Sequence, residues 1–177
     1  MKPRVGISRC LLGEDVRYDG TNRLSAAVAE LTSLVEWVSV CPEVEVGMGV
    51  PREPIQLVRG PDGVRAGGES VRLKGVHSGE DWTDRMDRWA AARVGDLAEA
   101  GISGFVLKAR SPSCGVDGVL VHDDLAPPVP TGRGLFAEAL AAVMPGLPMI
   151  DEETLEDRAQ RERFLQTVRA FAASRGA

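Results

Sequence analysis

The fold is indicated most directly by the stretch GFVLKARSPSCG, residues 104–115. Its first half is a short apolar run of the kind that forms a strand buried on both faces of a parallel sheet. Its second half is a turn sequence with two serines and a proline, and it contains Cys114. Two earlier strand-like runs end in the same way, one at Cys10 and one at Cys41. Three cysteines that are distant in sequence therefore follow three predicted strands.

Helical patterns separate these strands along the chain. We expect strands at Pro3–Arg9, Trp37–Val40, Gly104–Ala109 and Leu147–Ile150, and helices at about Leu24–Val35, from a Ser78 capping box to Gly101, at Gly134–Met144 and at Glu152–Ala173. Alternating strands and helices are typical of an α/β fold with helices on both faces of a sheet. We predict a Rossmann-like, mostly parallel sheet whose carboxyl strand ends share one edge, where ligands bind.

Residues 51–75 interrupt this alternation. Short runs such as IQLVRG and SVRLKG, with the turn signal PDG between them, predict a small antiparallel β-meander inserted into the main fold. The segment Leu125–Gly134 is rich in proline and glycine and is predicted to be a loop. We divide the chain into a domain at residues 1–150, which includes the insertion, and a C-terminal helix at 151–177.

The charge and cysteine content limit the partners of the chain. Its 177 residues include 21 Lys and Arg against 26 Asp and Glu, a formal net charge of −5, which argues against a nucleic-acid polymer because such binding needs clustered cations. No apolar run approaches the roughly 18 residues of a membrane span, so we expect no membrane partner. The odd number of cysteines, without a C-x-x-C pair or a secretion signal, predicts a reducing, cytoplasmic setting without disulfides.

The cysteines have either a structural or a metal-binding role. A free cysteine is often a small buried hydrophobe. Three thiolates at one sheet edge could instead hold zinc with an open position, or a [4Fe–4S] cluster in which one iron has no protein ligand. Composition and spacing leave both metals open.

Several polar residues follow the same predicted strands. Glu43, two residues after Cys41, has the chemistry of a general base or a metal ligand, although a solvated loop carboxylate would give the same pattern. Ser111 could relay a proton or simply form the turn. Five further residues are candidates for substrate binding because they lie in the predicted edge loops or at a strand end: Arg17, Tyr18, Asp19, Lys108 and Ser113.

The chain resembles the 2-thiouracil desulfurase family in four blocks, SRCLLGEDVRYDG, VCPEVEVGMGVPREP, LKARSPSCG and TGRGLF. The resemblance extends from about residue 3 to residue 150 and is greatest to the version that is often fused to a second C-terminal domain. It implies an oxygen-sensitive [4Fe–4S] cluster held by Cys10, Cys41 and Cys114, with Glu43 and Ser111 as catalytic residues. One departure is Gln56, where shorter members of the family carry an acidic residue.

The resemblance also implies a reaction. The thiocarbonyl sulfur of a thiolated pyrimidine would be replaced by oxygen and released as hydrogen sulfide, with water activated by Glu43 and a proton passed by Ser111. The alternatives are a non-catalytic iron–sulfur carrier or accessory protein, and a zinc hydrolase with three cysteine ligands. Arginine guanidinium groups bind phosphate well, so thiouridine monophosphate is favoured over thiouracil as the substrate. The alternative is that acidic residues of the same loops pair with these arginines. The arginines concerned are Arg9, Arg17, Arg23, Arg52, Arg110 and Arg133.

Overall fold

The computed structural model describes residues 2–60 and 70–175 of the chain. The strands are β1 (Arg4–Ser8), β2 (Glu36–Val40), β3 (Ile55–Arg59), β4 (Val71–Gly75), β5 (Ile102–Leu107), β6 (Val119–Asp123), β7 (Ala126–Gly132) and β8 (Met149–Asp151). The helices are α1 (Ala26–Leu31), α2 (Pro42–Glu45), α3 (Thr83–Glu99), α4 (Leu135–Val143), α5 (Glu152–Glu156) and α6 (Arg158–Arg175), and a 3₁₀ turn (Arg9–Leu12) follows β1.

The first sheet consists of four parallel strands in the order β2-β1-β5-β8. On one face, Val5, Ile7 and Val106 pack with apolar side chains of α1, α5 and α6. On the other face, Phe105 and Leu107 pack with those of α3 and α4. Every residue of β5 is buried as a result, which is typical of an inner strand covered on both faces. The predicted parallel α/β sheet is confirmed.

The second sheet is mixed and has the strand order β4-β3-β6-β7. β3 and β4 form the antiparallel pair expected within residues 51–75, while the remainder of the predicted meander, at 61–69, lies outside the described residues. β3 also pairs with β6 in parallel, and β6 pairs with β7 in antiparallel fashion. The predicted loop at Leu125–Gly134 is therefore wrong, because β7 occupies most of it. Its prolines are accommodated because β7 is an edge strand, where missing backbone N–H groups cost no ladder bonds.

The helix ends differ from the predictions where side chains cap the backbone. α1 is shorter than expected and begins after Ser25, whose hydroxyl accepts a hydrogen bond from the Val28 amide. The Ser78 capping box is absent: the Ser78 hydroxyl donates to Glu53, and α3 begins only at Thr83. The expected C-terminal helix is two helices, because Asp157 has an extended backbone and its carboxylate caps the second one.

The C-terminal helices belong to the packed core. Leu155 of α5 and Phe164, Leu165 and Val168 of α6 are buried against the first sheet. The division into a domain at 1–150 and a C-terminal helix at 151–177 remains a prediction. Among the helices that the structure describes, none has the length and apolarity needed to cross a membrane.

Candidate active site

The three cysteines meet at the carboxyl edge of the first sheet. Cys10 lies in the 3₁₀ turn after β1, Cys41 directly follows β2, and Cys114 lies in the loop after β5. These three strands are neighbours in the sheet. All three cysteines are buried and none is in a disulfide. The structure thus brings together the residues that the strand-end rule selects, although their role as ligands remains a prediction.

The loop that carries Cys114 is seated on the N-terminus of α4. The amides of Leu135 and Phe136 donate to the carbonyls of Pro112 and Ser113, at 3.2 and 2.9 Å. These bonds use helix amides that have no partner within the helix. At the N-cap position of α4, Gly134 lies so close to this loop that an added Cβ would be 2.5 Å from the Ser113 carbonyl. Only glycine allows this approach without a backbone shift.

The segment that carries Cys41 is held by Glu45. The Cys41 amide donates to Oε1 of Glu45 at 3.1 Å. Arg9, next to Cys10 in the chain, donates to the same oxygen at 3.2 Å, and Arg93 of α3 donates to Oε2 at 3.1 Å. One carboxylate therefore fixes the positions of two cysteine-bearing segments relative to α3.

The pKa values of the cysteines bear on whether they can bind a metal ion or cluster. Burial, with a smaller contribution from the neighbouring Cys41, raises the pKa of Cys10 to about 11. Burial also raises the pKa of Cys41 and of Cys114. Since only the thiolate is a metal ligand, these sites need a strongly positive partner to be deprotonated. Within residues 2–60 and 70–175, no three His, Cys, Asp or Glu side chains converge as ligands of one metal ion. Three buried, free thiols at one sheet edge have the chemistry to hold an iron–sulfur cluster in which each cysteine binds a different iron and one iron has no protein ligand.

A cavity of about 530 Å³ opens at the cysteine edge. Cys10 and Cys41 line it, whereas Cys114 lies deeper. Its wall also contains most of the residues selected from the sequence, namely Arg17, Tyr18, Glu43, Lys108 and Ser111. Ser113 is buried behind the wall, and Asp19 does not line the cavity. A hydrogen bond from the Thr21 hydroxyl lowers the pKa of the Asp19 carboxyl, which is occupied within its own loop.

Glu43 is part of a chain of polar side chains. Arg52 donates to its Oε2 from Nε at 2.8 Å and from Nη2 at 2.6 Å. Ser113 donates to its Oε1 at 2.8 Å, and the Ser113 and Ser111 hydroxyl oxygens are 3.0 Å apart. The chain ends at the cavity, because Ser111 lines it.

Lys108 is held in the cavity wall by Glu152. Its ammonium group donates to Oε1 of Glu152, and the Ala109 amide donates to Oε2 at 2.7 Å. Glu152 is buried, so this ion pair is largely removed from water. Lys108 also lies near Cys10. Its positive charge offsets part of the increase that burial causes in the pKa of that thiol.

The sequence did not predict the roles that Glu152 and Arg52 have in the site. Glu152 follows β8, so the strand-end rule that selected the cysteines would also have selected it. Arg52 was taken as a free cation that could face a phosphate, but the structure pairs it with Glu43. No periodicity or spacing in the sequence indicates that pairing.

Most of the arginines near this edge are already paired. The recorded partners are Glu45 for Arg9, Glu43 for Arg52, Glu153 for Arg110, and the Val116 carbonyl for Arg133. Arg17 and Arg23 line the cavity, and Arg17 forms an ion pair with Asp19 at 4.0 Å and lies within hydrogen-bond distance of Thr21. The cations that can face a ligand are thus fewer than the six predicted.

The fold and the site together define an α/β protein with a buried three-cysteine centre beside a ligand-sized cavity. The family model described as 2-thiouracil desulfurase matches residues 5–152. The chain therefore belongs to the 2-thiouracil desulfurase family, and the resemblance stated from the sequence is confirmed.

Two known proteins are similar to the chain over most of its length. The uncharacterised protein YbbK of Bacillus subtilis (strain 168) is 33% identical over 156 residues, which are 85% of this chain and 97% of the relative. The solved structure of TudS, a [4Fe–4S]-dependent thiouracil desulfidase, is 28% identical and has a TM-score of 0.68. That match covers 92% of this chain and 99% of TudS, and it confirms the fold class.

Proposed function

We propose that the protein is a [4Fe–4S]-dependent desulfidase that replaces the thiocarbonyl sulfur of a thiolated pyrimidine by oxygen and releases hydrogen sulfide. Membership in the family and the similarity to TudS support this reaction. The single observation that carries the proposal is the meeting of three free, buried cysteines at one sheet edge, where two of them line a cavity together with Glu43 and Ser111.

The cluster would be held by Cys10, Cys41 and Cys114. Such a cluster has one iron without a protein ligand, which supplies a Lewis acid with affinity for the sulfur of the substrate. The thiols are buried next to one another, and the carboxylate of Glu45 and the N-terminus of α4 orient the segments that carry two of them.

The side chains of the cavity would then carry out a hydrolysis. Glu43 accepts a proton from the water that attacks the thiocarbonyl carbon, and the new bond is from that oxygen to carbon. Ser111 delivers a proton to the ring nitrogen or the departing sulfur as the carbon–sulfur bond breaks. Water and the thiocarbonyl compound become the carbonyl compound and hydrogen sulfide, without net electron transfer. Lys108, Arg17 and Tyr18 contact the polar groups of the substrate.

The substrate that we favour is a thiouridine monophosphate. A cavity of about 530 Å³ is within the range of small-molecule sites, about 300–1,000 Å³, and leaves space beside a single pyrimidine. Arg17 and Arg23 lie in its wall, where a phosphate would be bound.

A substrate panel tests the proposal. Protein reconstituted anaerobically with iron and sulfide is assayed for sulfide release from thiouracil, thiouridine and thiouridine 5′-monophosphate. We expect turnover, with kcat/KM at least about 10-fold higher for the monophosphate, which corresponds to about 1.4 kcal/mol. In Arg23→Ala this preference should fall while turnover of thiouracil is kept. Equal or faster turnover of the free base would contradict the phosphate site, and absence of turnover with all three would contradict the reaction.

The alternatives drawn from the sequence gain less support. A zinc hydrolase would use the same three thiolates, but the similarity to TudS, a [4Fe–4S]-dependent thiouracil desulfidase, supports iron. A non-catalytic carrier has no use for a carboxylate and a hydroxyl held at the cavity beside the cysteines. Three cysteines without disulfides support a reducing, cytoplasmic location.

A further inference from the structure

Arg52 is a buried cation, and each of its three guanidinium nitrogens donates a hydrogen bond to the protein. Only 7% of its side chain is exposed, although it borders the cavity. Nε and Nη2 both donate to Oε2 of Glu43, and Nη1 donates to the Gly49 carbonyl at 2.8 Å. The Arg52 amide donates to the Tyr18 carbonyl at 2.9 Å. Arg52 therefore ties the helix that carries Glu43 to the loop that carries Tyr18.

The two oxygens of the Glu43 carboxylate accept hydrogen bonds from different donors. Oε2 accepts both charge-assisted bonds from Arg52, which hold this oxygen more firmly than neutral bonds would. Oε1 is left to accept from Ser113, and Glu43 lines the cavity. Glu43 is thereby held in one orientation.

Ser113 connects Glu43 with Ser111. A carboxylate can only accept, so the Ser113 hydroxyl donates to Glu43 and its oxygen can accept from Ser111. The Ser111 oxygen also accepts from the amides of Cys114 and Ser113, at 3.1 and 3.3 Å. Ser113 is only 1% exposed and does not line the cavity. This position does not fit the direct contact with substrate that the sequence predicted.

We propose that Arg52 and Ser113 are positioning residues for this reaction: Arg52 orients the Glu43 carboxylate, and Ser113 links it to the Ser111 hydroxyl. The proposal rests on the proposed function, because it assigns the partners of the two groups that act on water and substrate. Once Glu43 has taken a proton from water it can itself donate, and the Ser113 and Ser111 hydroxyls then reverse their hydrogen bonds. The Glu43 proton passes to Ser113 as the Ser113 proton passes to Ser111. Ser111 then replaces the proton that it gives to the substrate, so that charge and atoms balance.

A double-mutant cycle tests the role of Arg52. Arg52→Ala should lower kcat by about 10²-fold, the scale of losing a general base, while KM for thiouracil stays within about threefold. In a Glu43→Gln background, Arg52→Ala should cost less than about threefold further, because two residues that act as a unit are not additive. Arg85→Ala is the matched control, since Arg85 and Glu80 form an exposed ion pair on another part of the surface.

The readouts separate positioning from folding and from substrate binding. The absorption near 400 nm shows whether each variant carries the iron–sulfur cluster. If Arg52→Ala fails to fold, Arg52→Lys replaces it in the assay, because lysine keeps the charge but cannot form both hydrogen bonds to Glu43. In Arg52→Lys we expect a loss in kcat of about 10-fold. Ser113→Ala should lower kcat by about 10-fold at unchanged KM, and Ser113→Thr should restore part of the loss because it retains the hydroxyl.

Several results would overturn the proposal. They are near-normal kcat in a loaded Arg52 variant, a loss confined to KM, or a full additional loss from Arg52→Ala in the Glu43→Gln background. Each of these requires an active wild-type protein. Failure of the proposed function is seen separately, as wild-type protein that carries a cluster and turns over no thiolated pyrimidine.

Discussion

Replacing Gly134 by alanine should perturb the three-cysteine centre without changing a cysteine. The added Cβ would lie 2.5 Å from the backbone C and O of Ser113 and 2.7 Å from the Cys114 amide nitrogen. An ordinary contact begins at 3.4 Å, so the loop must move away from α4 by about 0.9 Å. The neighbours are backbone atoms and cannot turn aside as a side chain could. Overpacking of this kind costs about 1–3 kcal/mol.

The expected result is a protein that folds but holds its cluster poorly. A shift of the Cys114 loop leaves Cys10 and Cys41 in place, so the three thiolates no longer match one cluster. Loss of supporting groups around a metal site lowers metal affinity by about 10–100-fold, and we expect cluster lifetime in a chelator to fall by at least about 10-fold.

The assay compares Gly134→Ala with Gly95→Ala after anaerobic reconstitution. Gly95 lies in α3, and a Cβ there meets nothing within 4 Å. Gly95→Ala should keep the cluster and gain about 0.5–1 kcal/mol of stability. Iron content, absorption near 400 nm and its decay in chelator are measured for both. If Gly134→Ala binds iron with wild-type stoichiometry and lifetime, the close approach does not position Cys114 and the reasoning is refuted.

Four further outcomes are expected. Cys114→Ser should lose the cluster or hold it only transiently, because a hydroxyl replaces a thiolate; a stable, active cluster would exclude Cys114 as a ligand. Glu43→Gln should keep the cluster while sulfide release falls by about 10²-fold, and near-normal turnover would make Glu43 a structural residue. Glu45→Gln should shorten cluster lifetime by about 10-fold, whereas Glu36→Gln, which alters the exposed pair of Glu36, should not. In cluster-free protein, alkylation of Cys10 should remain slow at pH 8 and accelerate only toward pH 11, because burial raises its pKa to about 11; rapid alkylation at pH 8 would contradict this.

The parallel sheet and its cysteine edge could be predicted because local signals and topology agree. Apolar runs mark the inner strands, the intervening helices require parallel pairing, and parallel strands end on one edge. Cys10, Cys41 and Cys114 follow from that rule alone. Glu152 follows from the same rule but was absorbed into a predicted helix, although its carboxylate is buried beside Lys108.

Within the second sheet, the β3–β4 pair could be predicted, but the pairing of β6 with β3 and β7 and the polar chain could not, because they depend on tertiary contacts. β7 has three prolines in seven residues, which is typical of a loop, and becomes a strand only because β6 offers a partner on one side. The pairing of Arg52 with Glu43 and the position of Ser113 behind Ser111 depend on how α2 meets two loops. Hydrophobic periodicity carries no information about such contacts between loops.

The most direct test of the proposed reaction is to measure sulfide and product together in water labelled with heavy oxygen. Reconstituted protein is given the thiolated pyrimidine anaerobically, with cluster-free protein and Glu43→Gln as controls. The account predicts one sulfide released for each carbonyl product, with the label in the new carbonyl, and little turnover in either control. Turnover by colourless, zinc-loaded protein, or cluster-loaded protein that releases no sulfide from any thiolated pyrimidine, would contradict it.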